Sequence, residues 1–278
     1  MVPFLHLGPV TLPTFGLMVA TAMVGAFFVL RADLRRRGLV ADAETLVAVP
    51  VIAGIAGAKL YHVLESPRDF FADPWHQLFS QFGFAWFGGL LAGFAAFVML
   101  ARHFGIPLLE LCDAASPAAV LGYGIGRIGC LLSGDGDYGI PTSLAWGMSF
   151  PNGLVPTADR VHPTPIYELI VGVAIAWILW RLGAKQTAAK GQHRTVGGIP
   201  RKRPRQAPAH QGAGSIFAMY LILTGAARFL VEFIRINPRS FFGLTNAQAA
   251  SLVSLLAGAL LLWRVKVAES LPGRREHP

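Results

Sequence analysis

The chain has 278 residues, of which 54% are hydrophobic and only 14% charged, with a formal net charge of +9 and a mean hydropathy of +0.51. That is too apolar and too charge-poor for an ordinary water-soluble domain, and it points to a membrane protein. The two cysteines, Cys112 and Cys130, both lie in apolar segments, which leaves no disulfide framework and no Cys-x-x-Cys metal spacing; no metal and no cofactor is expected.

A spanning helix needs roughly 20 mostly apolar residues, and about seven stretches meet that requirement. In chain order they run from Thr14 to Leu30, Thr45 to Leu64, Phe82 to Ala101, Leu111 to Leu132, Pro165 to Leu182, Gly214 to Phe233 and Gln248 to Trp263. The predicted fold class is therefore all-α, a polytopic membrane protein forming one helical domain over residues 1–278. The first stretch lacks a basic leader and a small-residue cleavage site, so it reads as a retained helix rather than a signal peptide. The second and fourth are rich in Ala and Gly, which makes them less apolar but suits close packing between helices.

Lys and Arg set the expected orientation. Arg31, Arg35, Arg36 and Arg37 follow the first stretch, Arg102 the third, Arg181, Lys185, Lys190, Arg194, Arg201, Lys202, Arg203 and Arg205 the fifth, and Arg264, Lys266, Arg274 and Arg275 the seventh. The alternate connections are poor in these residues, which places the N-terminus outside and the C-terminus in the cytoplasm. The positive charge is then a topology signal with attraction to anionic lipid added, and no nucleic-acid partner is expected. Residues 184–213 are basic, carry Pro, Gly and Gln, and show no apolar period, so they read as a disordered cytoplasmic loop. No internal repeat is evident, which weighs against an inverted-repeat transporter.

Ionisable residues at membrane depth are costly and face a bundle interior or a wet cavity. Four groups qualify: Lys59 with Tyr61 and His62; Arg127 with Asp135 and Asp137; Tyr167 with Glu168; and Arg228 with Glu232. Arg228 and Glu232 are four apart and share a helix face, so they are expected to pair. Arg127, a second buried arginine with few carboxylates expected nearby, leaves room for an anionic ligand, since guanidinium suits bidentate phosphate recognition. The turn "SGDGDYG", with Gly134 and Gly139, reads either as an ordinary tight loop or as a nest of backbone N–H groups for phosphate. His162, in an outer connection, is either a solvated loop residue or a general base beside the headgroup site. Cys130 reads as packing.

These segments resemble the prolipoprotein diacylglyceryl transferases of bacterial inner membranes. The resemblance runs over nearly the whole chain, through "FGLMV", "GAKLYHVL", "FGGLLAG", "GRIGCLLSGDGDYG", "HPTPIYE", "ARFLVEFIR" and "GLTNAQAASL" in family order. It implies a multi-pass enzyme of the bacterial cytoplasmic membrane. Such an enzyme transfers the diacylglyceryl group of phosphatidylglycerol to the lipobox cysteine thiol of a preprolipoprotein, the first step of lipoprotein maturation. By motif, Arg127 matches the arginine that holds the lipid phosphate, Arg228 with Glu232 the second essential arginine and its partner, and Gly139 the glycine that closes the signature, while Asp135 falls at or beside the signature's acidic residue.

The chain departs from the family at four places. The usual tyrosine of the first helix, histidine of the third and asparagine after "GRIG" are Phe15, Phe87 and Cys130, and the usual arginine of the second helix is Lys59. Two readings stay open at this point: a divergent transferase in which Asp135, Asp137 or His162 takes the proton, or a paralogue that binds phospholipid without this catalysis. In the first, Arg228, Glu232, Asp135, Asp137 and His162 are the catalytic candidates, and Arg127, Lys59, Gly134, Gly139, Tyr167 and Glu168 the substrate-binding ones.

Overall fold

The computed structural model describes residues 2–80, 83–194, 212–240 and 242–270, without the side chains of 69, 76, 79 and 189–194. Among them, seven helices are long and apolar enough to cross a membrane. They are α1 (Thr14–Arg37), α2 (Ala43–Glu65), α5 (Trp86–His103), α6 (Leu108–Ser133), α7 (Thr164–Arg194), α8 (Ser215–Val231) and α9 (Asn246–Ser270). Two short helices, α3 (Pro67–Ala72) and α4 (Pro74–Phe79), link α2 to α5. The chain opens with a hairpin of β1 (Phe4–Leu7) and β2 (Val10–Pro13), and a second, β3 (Met148–Phe150) with β4 (Thr157–Val161), separates α6 from α7. Neither hairpin was expected from the sequence.

The apolar side chains divide between two jobs. Leu30, Leu34, Leu46, Ala101, Leu111 and Ala114 form one buried cluster that ties the C-terminal ends of α1 and α5 to the N-terminal ends of α2 and α6. Val120, Ile175, Leu179 and Ile216 form a second among α6, α7 and α8. Phe28, Ile52, Trp177 and Leu256 remain exposed, an arrangement that costs free energy in water and none in hydrocarbon. α2 and α5 meet backbone to backbone at Gly57 and Gly88, where an added Cβ on Gly88 would lie 2.3 Å from the Gly57 carbonyl oxygen. Only glycine on both helices permits that approach.

Buried polar groups fix helix ends. Asp113 of α6 accepts from the backbone N–H of Gly214 at 2.9 Å and of Phe217 at 2.8 Å, capping α8 from a neighbouring helix. Asp33, fully buried in the last turns of α1, pairs with Arg36 and Arg37, and Arg36 also donates to the Trp180 carbonyl of α7 at 2.9 Å. α1 therefore continues through the basic run rather than stopping before it. α7 likewise continues to Arg194, through the first part of the segment expected to be irregular; its Ala, Lys and Gln are good helix formers, and they outweigh Gly191. Residues 195–211 of that segment lie outside the described residues.

The connection after α6 is what positions the candidate site. Gly139 donates to the His162 carbonyl at 2.8 Å, Ile140 to Ile234 at 2.8 Å and Thr142 to Arg160 at 2.8 Å. Residues 139–142 thus lie between β4 and the chain just after α8, and Gly139 faces Arg235 across an antiparallel bridge. Tyr138 stacks on Phe150 at 5.1 Å and, with Val161, closes a small core beneath this ladder.

Candidate functional site

α6 presents Tyr123, Arg127 and Cys130 on one face, one helical turn apart. The Arg127 guanidinium lies over the Tyr123 ring, 4.6 Å from its centroid, and donates from Nη2 to the Tyr123 hydroxyl at 2.9 Å. From Nη1 it donates to Asp137 Oδ2, and its Nε is 3.5 Å from Glu168 Oε2. α7 contributes Glu168, which accepts from Tyr123 at 2.5 Å and from Arg228 Nη1 at 2.9 Å.

α8 brings in Arg228 and, one turn on, Glu232. The expected pair is present, with Arg228 Nη2 3.0 Å from Glu232 Oε2. Past Val231 the helix tightens into a 3₁₀ turn, Glu232–Ile234, and the chain then extends. That change of pitch turns Arg235 inward. Its Nη1 donates to Glu168 Oε2 at 3.2 Å and its Nη2 to Asp137 Oδ1. Asn237 closes the group by donating to Glu232 Oε1 at 2.5 Å.

The result is a ring in which Arg127, Asp137, Arg235 and Glu168 alternate in charge, with Arg228 and Glu232 joined to it. Three guanidiniums meet three carboxylates, so the expectation of few carboxylates near the arginines is corrected. The unpaired positive charge it implied is not there, because the fold brings Asp137 and Glu168 across from the outer connection and α7. The arginines differ in access. The side chains of Arg228 and Arg127 are 26% and 16% exposed and that of Arg235 4%, so the first two are partly accessible and the third is almost fully buried.

Asp135 and Asp137 share the turn but not their electrostatics. Burial pushes the Asp135 carboxyl above the ordinary aspartate value, and the Asp137 charge adds to this. Burial acts on Asp137 too, but the Arg235 and Arg127 guanidiniums outweigh it and hold that carboxyl below the ordinary value. Two neighbouring carboxyls pushed apart in this way suit different tasks, the raised one for taking a proton and the lowered one for staying ionised. Cys130 is not mere packing: Arg127 Nη1 approaches its sulfur at 3.7 Å, and its thiol and the two aspartate carboxyls lie within 4.8 Å of one another. Asp137 is already engaged by two arginines, and a cation there would meet the Arg127 charge, so the donor set does not favour a metal.

The other candidates fall elsewhere. His162 Nδ1 is 3.2 Å from the Tyr167 hydroxyl, which accepts from Trp146 Nε1 at 2.8 Å; among the described residues no side-chain hydrogen bond or ion pair joins that cluster to the ring. Gly134 ends α6 in a left-handed conformation, φ 57°. Lys59 donates to the Ser80 carbonyl at 2.9 Å and lies over the Phe84 ring, outside the ring of charges. Phe15 packs against Gly129, and Phe87 is 60% exposed, edge-on to Trp86.

Gly139 is a packing glycine: an added Cβ would lie 2.4 Å from the Ile234 carbonyl oxygen and 2.9 Å from His162 Cβ. Gly139→Ala is expected to push the Arg235 strand off the site. Activity should fall at least tenfold, with a lower thermal midpoint measured in detergent, since backbone is what the methyl would strike.

Arg235, Tyr123 and Asn237 were missed in the sequence. Arg235 had a signal, since it stands one turn beyond Glu232 and two beyond Arg228. Tyr123 stands one turn before Arg127 on the same helix face.

Comparison with known proteins adds an independent line. The model of the prolipoprotein diacylglyceryl transferase family matches residues 3–264. A phosphatidylglycerol–prolipoprotein diacylglyceryl transferase of Oleidesulfovibrio alaskensis is 31% identical over 268 residues, covering 92% of this chain and 90% of its own. One of Geobacter sulfurreducens is 30% identical over 282 residues, covering 99% and 96%, and one of Clostridium perfringens 27% over 267 residues, covering 95% and 93%.

Proposed function

The chain belongs to the prolipoprotein diacylglyceryl transferase family, and from that premise we propose that its ring of charges is the transfer site for phosphatidylglycerol and a lipobox cysteine. The observation that carries the reading is the pair of partly exposed guanidiniums, Arg127 and Arg228, held in one largely buried network.

Arg127 and Arg228 hold the lipid phosphate through charge-assisted hydrogen bonds. The acceptor thiolate attacks the glycerol carbon of the diacylglyceryl group, a C–S bond forms as the C–O bond to phosphate breaks, and glycerol phosphate leaves. Charge grows on the departing phosphate, where fixed guanidiniums stabilise it most. Asp135, whose carboxyl burial has raised, takes the thiol proton; it falls at or beside the acidic residue of the family motif. Asp137 is too firmly paired for that role, and His162 is committed to Tyr167. In this reading the losses at Phe15, Phe87 and Cys130 are offset from within the turn 135–137.

The positive charge of the loops supports a site at the outer face of the bacterial cytoplasmic membrane, with the N-terminus outside. There the protein meets anionic phospholipid from within the bilayer and the preprolipoprotein at its surface.

Asp135→Asn tests the assignment. Transfer to a lipobox peptide should fall about a hundred- to ten-thousandfold, the usual contribution of a general base, while phosphatidylglycerol binding persists. Transfer at the parental rate would send the proton elsewhere.

A further inference from the structure

Asp137 is an odd neighbour for a phosphate site. Its carboxylate sits on the same Nη1 of Arg127 that a phosphate oxygen would use, and at 31% exposure it is the most open acid of the network, against 5% for Glu168 and 0% for Glu232. Asp137 is also more exposed than the Arg127 guanidinium it holds, 31% against 16%.

The two oxygens of Asp137 are divided between two arginines: Oδ2 takes Arg127 and Oδ1 takes Arg235. Arg235 is almost fully buried and fixed from two sides, by Glu168 Oε2 at 3.2 Å and by the backbone bridge to Gly139. It cannot follow a ligand outward. The Asp137 backbone is pinned as well, its carbonyl accepting from Thr164 Oγ1 at 2.5 Å and its N–H donating to Asp135 Oδ1 at 3.2 Å. Any exchange at Arg127 is therefore a rotation of the Asp137 side chain about a fixed point, with one of its two ion pairs kept throughout.

We propose that Asp137 competes with the lipid phosphate for Arg127, and that Arg235 is the positioning residue that retains Asp137 when the phosphate takes its place. This rests on the reading that Arg127 holds the phosphate, and it explains why a site for an anion contains a balanced set of charges. A phosphodiester and a carboxylate each bring one negative charge, so the exchange keeps Arg127 neutralised. The displaced carboxylate, left alone, would repel the incoming anion; on Arg235 it does not. Competition of this kind favours a ligand that presents several oxygens to Arg127 and Arg228 at once and disfavours a single weak acceptor.

The test is equilibrium binding of fluorescently tailed phosphatidylglycerol to the full-length protein in detergent micelles. Four variants are compared: Asp137→Asn, Arg235→Gln, the two combined, and Arg127→Ala. Removing a competing, partly exposed ion pair should tighten binding by about fivefold in Asp137→Asn. Arg235→Gln should weaken binding, because Asp137 then stays on Arg127. The combined variant should bind like Asp137→Asn, since without the carboxylate there is nothing to retain. A purely structural Arg235 would weaken binding just as much when Asp137→Asn is already present, and that result would overturn the proposal, as would weaker binding in Asp137→Asn alone. Asp137→Asn keeps the shape of the side chain, so the proposal is tested even if Arg235→Gln does not fold. Unchanged binding in Arg127→Ala would instead remove the phosphate site on which the proposal stands.

Discussion

Arg127→Lys is expected to lower diacylglyceryl transfer by about a hundred- to a thousandfold, the range for removing one fixed donor from a developing anion. The substitution keeps the charge and loses the geometry. Arg127 reaches Tyr123, Asp137 and Glu168 from three separate nitrogens. A lysine ammonium can satisfy Asp137 or turn toward a phosphate, but its single nitrogen cannot hold the network while presenting a planar fork to two phosphate oxygens. Steady-state kinetics in mixed micelles, with phosphatidylglycerol as the varied component, would show the loss mainly in kcat. A residual rate within threefold of the parent would mean that charge alone is what the position supplies.

Glu168 carries the second large effect. Its two oxygens engage Arg127, Arg228, Arg235 and Tyr123, and its side chain is 5% exposed. Glu168→Ala leaves buried guanidiniums without a counterion, which costs about 3–5 kcal/mol when one partner of a buried pair is removed. The thermal midpoint should drop and transfer should disappear. Glu168→Gln separates the two consequences. It preserves shape and the contact with Tyr123 but removes charge, so more protein should fold, with kcat lowered far more than lipid binding because the guanidiniums are still present but no longer aimed. A glutamine variant with parental kcat would show that Glu168 serves folding alone.

The spanning helices could be read from the sequence because hydrocarbon imposes a length and an apolarity that few other structures satisfy. The Arg228–Glu232 pair was legible for a related reason, since a four-residue spacing on a helix is a contact whatever the rest of the chain does. Arg235 was not legible. Its place depends on a 3₁₀ turn after Val231 and on a bridge to Gly139, almost a hundred residues away, and neither leaves a local periodic mark. The same holds for the count of charges around Arg127. Asp137 and Glu168 were both singled out, but only the fold closes them into one ring with Arg127 and Arg235. The extension of α7 beyond Leu182 was hidden differently: basic composition read as loop, while the helix propensity of "AKQTAAK" pulled the other way.

The departures at Phe15, Phe87 and Cys130 bear most directly on whether the site catalyses. The first two are an aromatic packed on Gly129 and an exposed aromatic on α5, so neither contributes a polar group to the ring. Cys130 does enter it, against Arg127 and the aspartate turn. The polar groups of the ring belong to α6, the turn 135–137, α7 and the end of α8, and the proposed transfer draws on them.

The most direct measurement is mass spectrometry of a lipobox peptide with a free cysteine after incubation with the purified protein and phosphatidylglycerol, run beside Arg127→Ala. A peptide heavier by one diacylglyceryl group, with glycerol phosphate released and both products lost in Arg127→Ala, is the expected result. An unmodified peptide, with phosphatidylglycerol still bound through Arg127, would contradict transfer and leave a phospholipid-binding protein built on the same ring of charges.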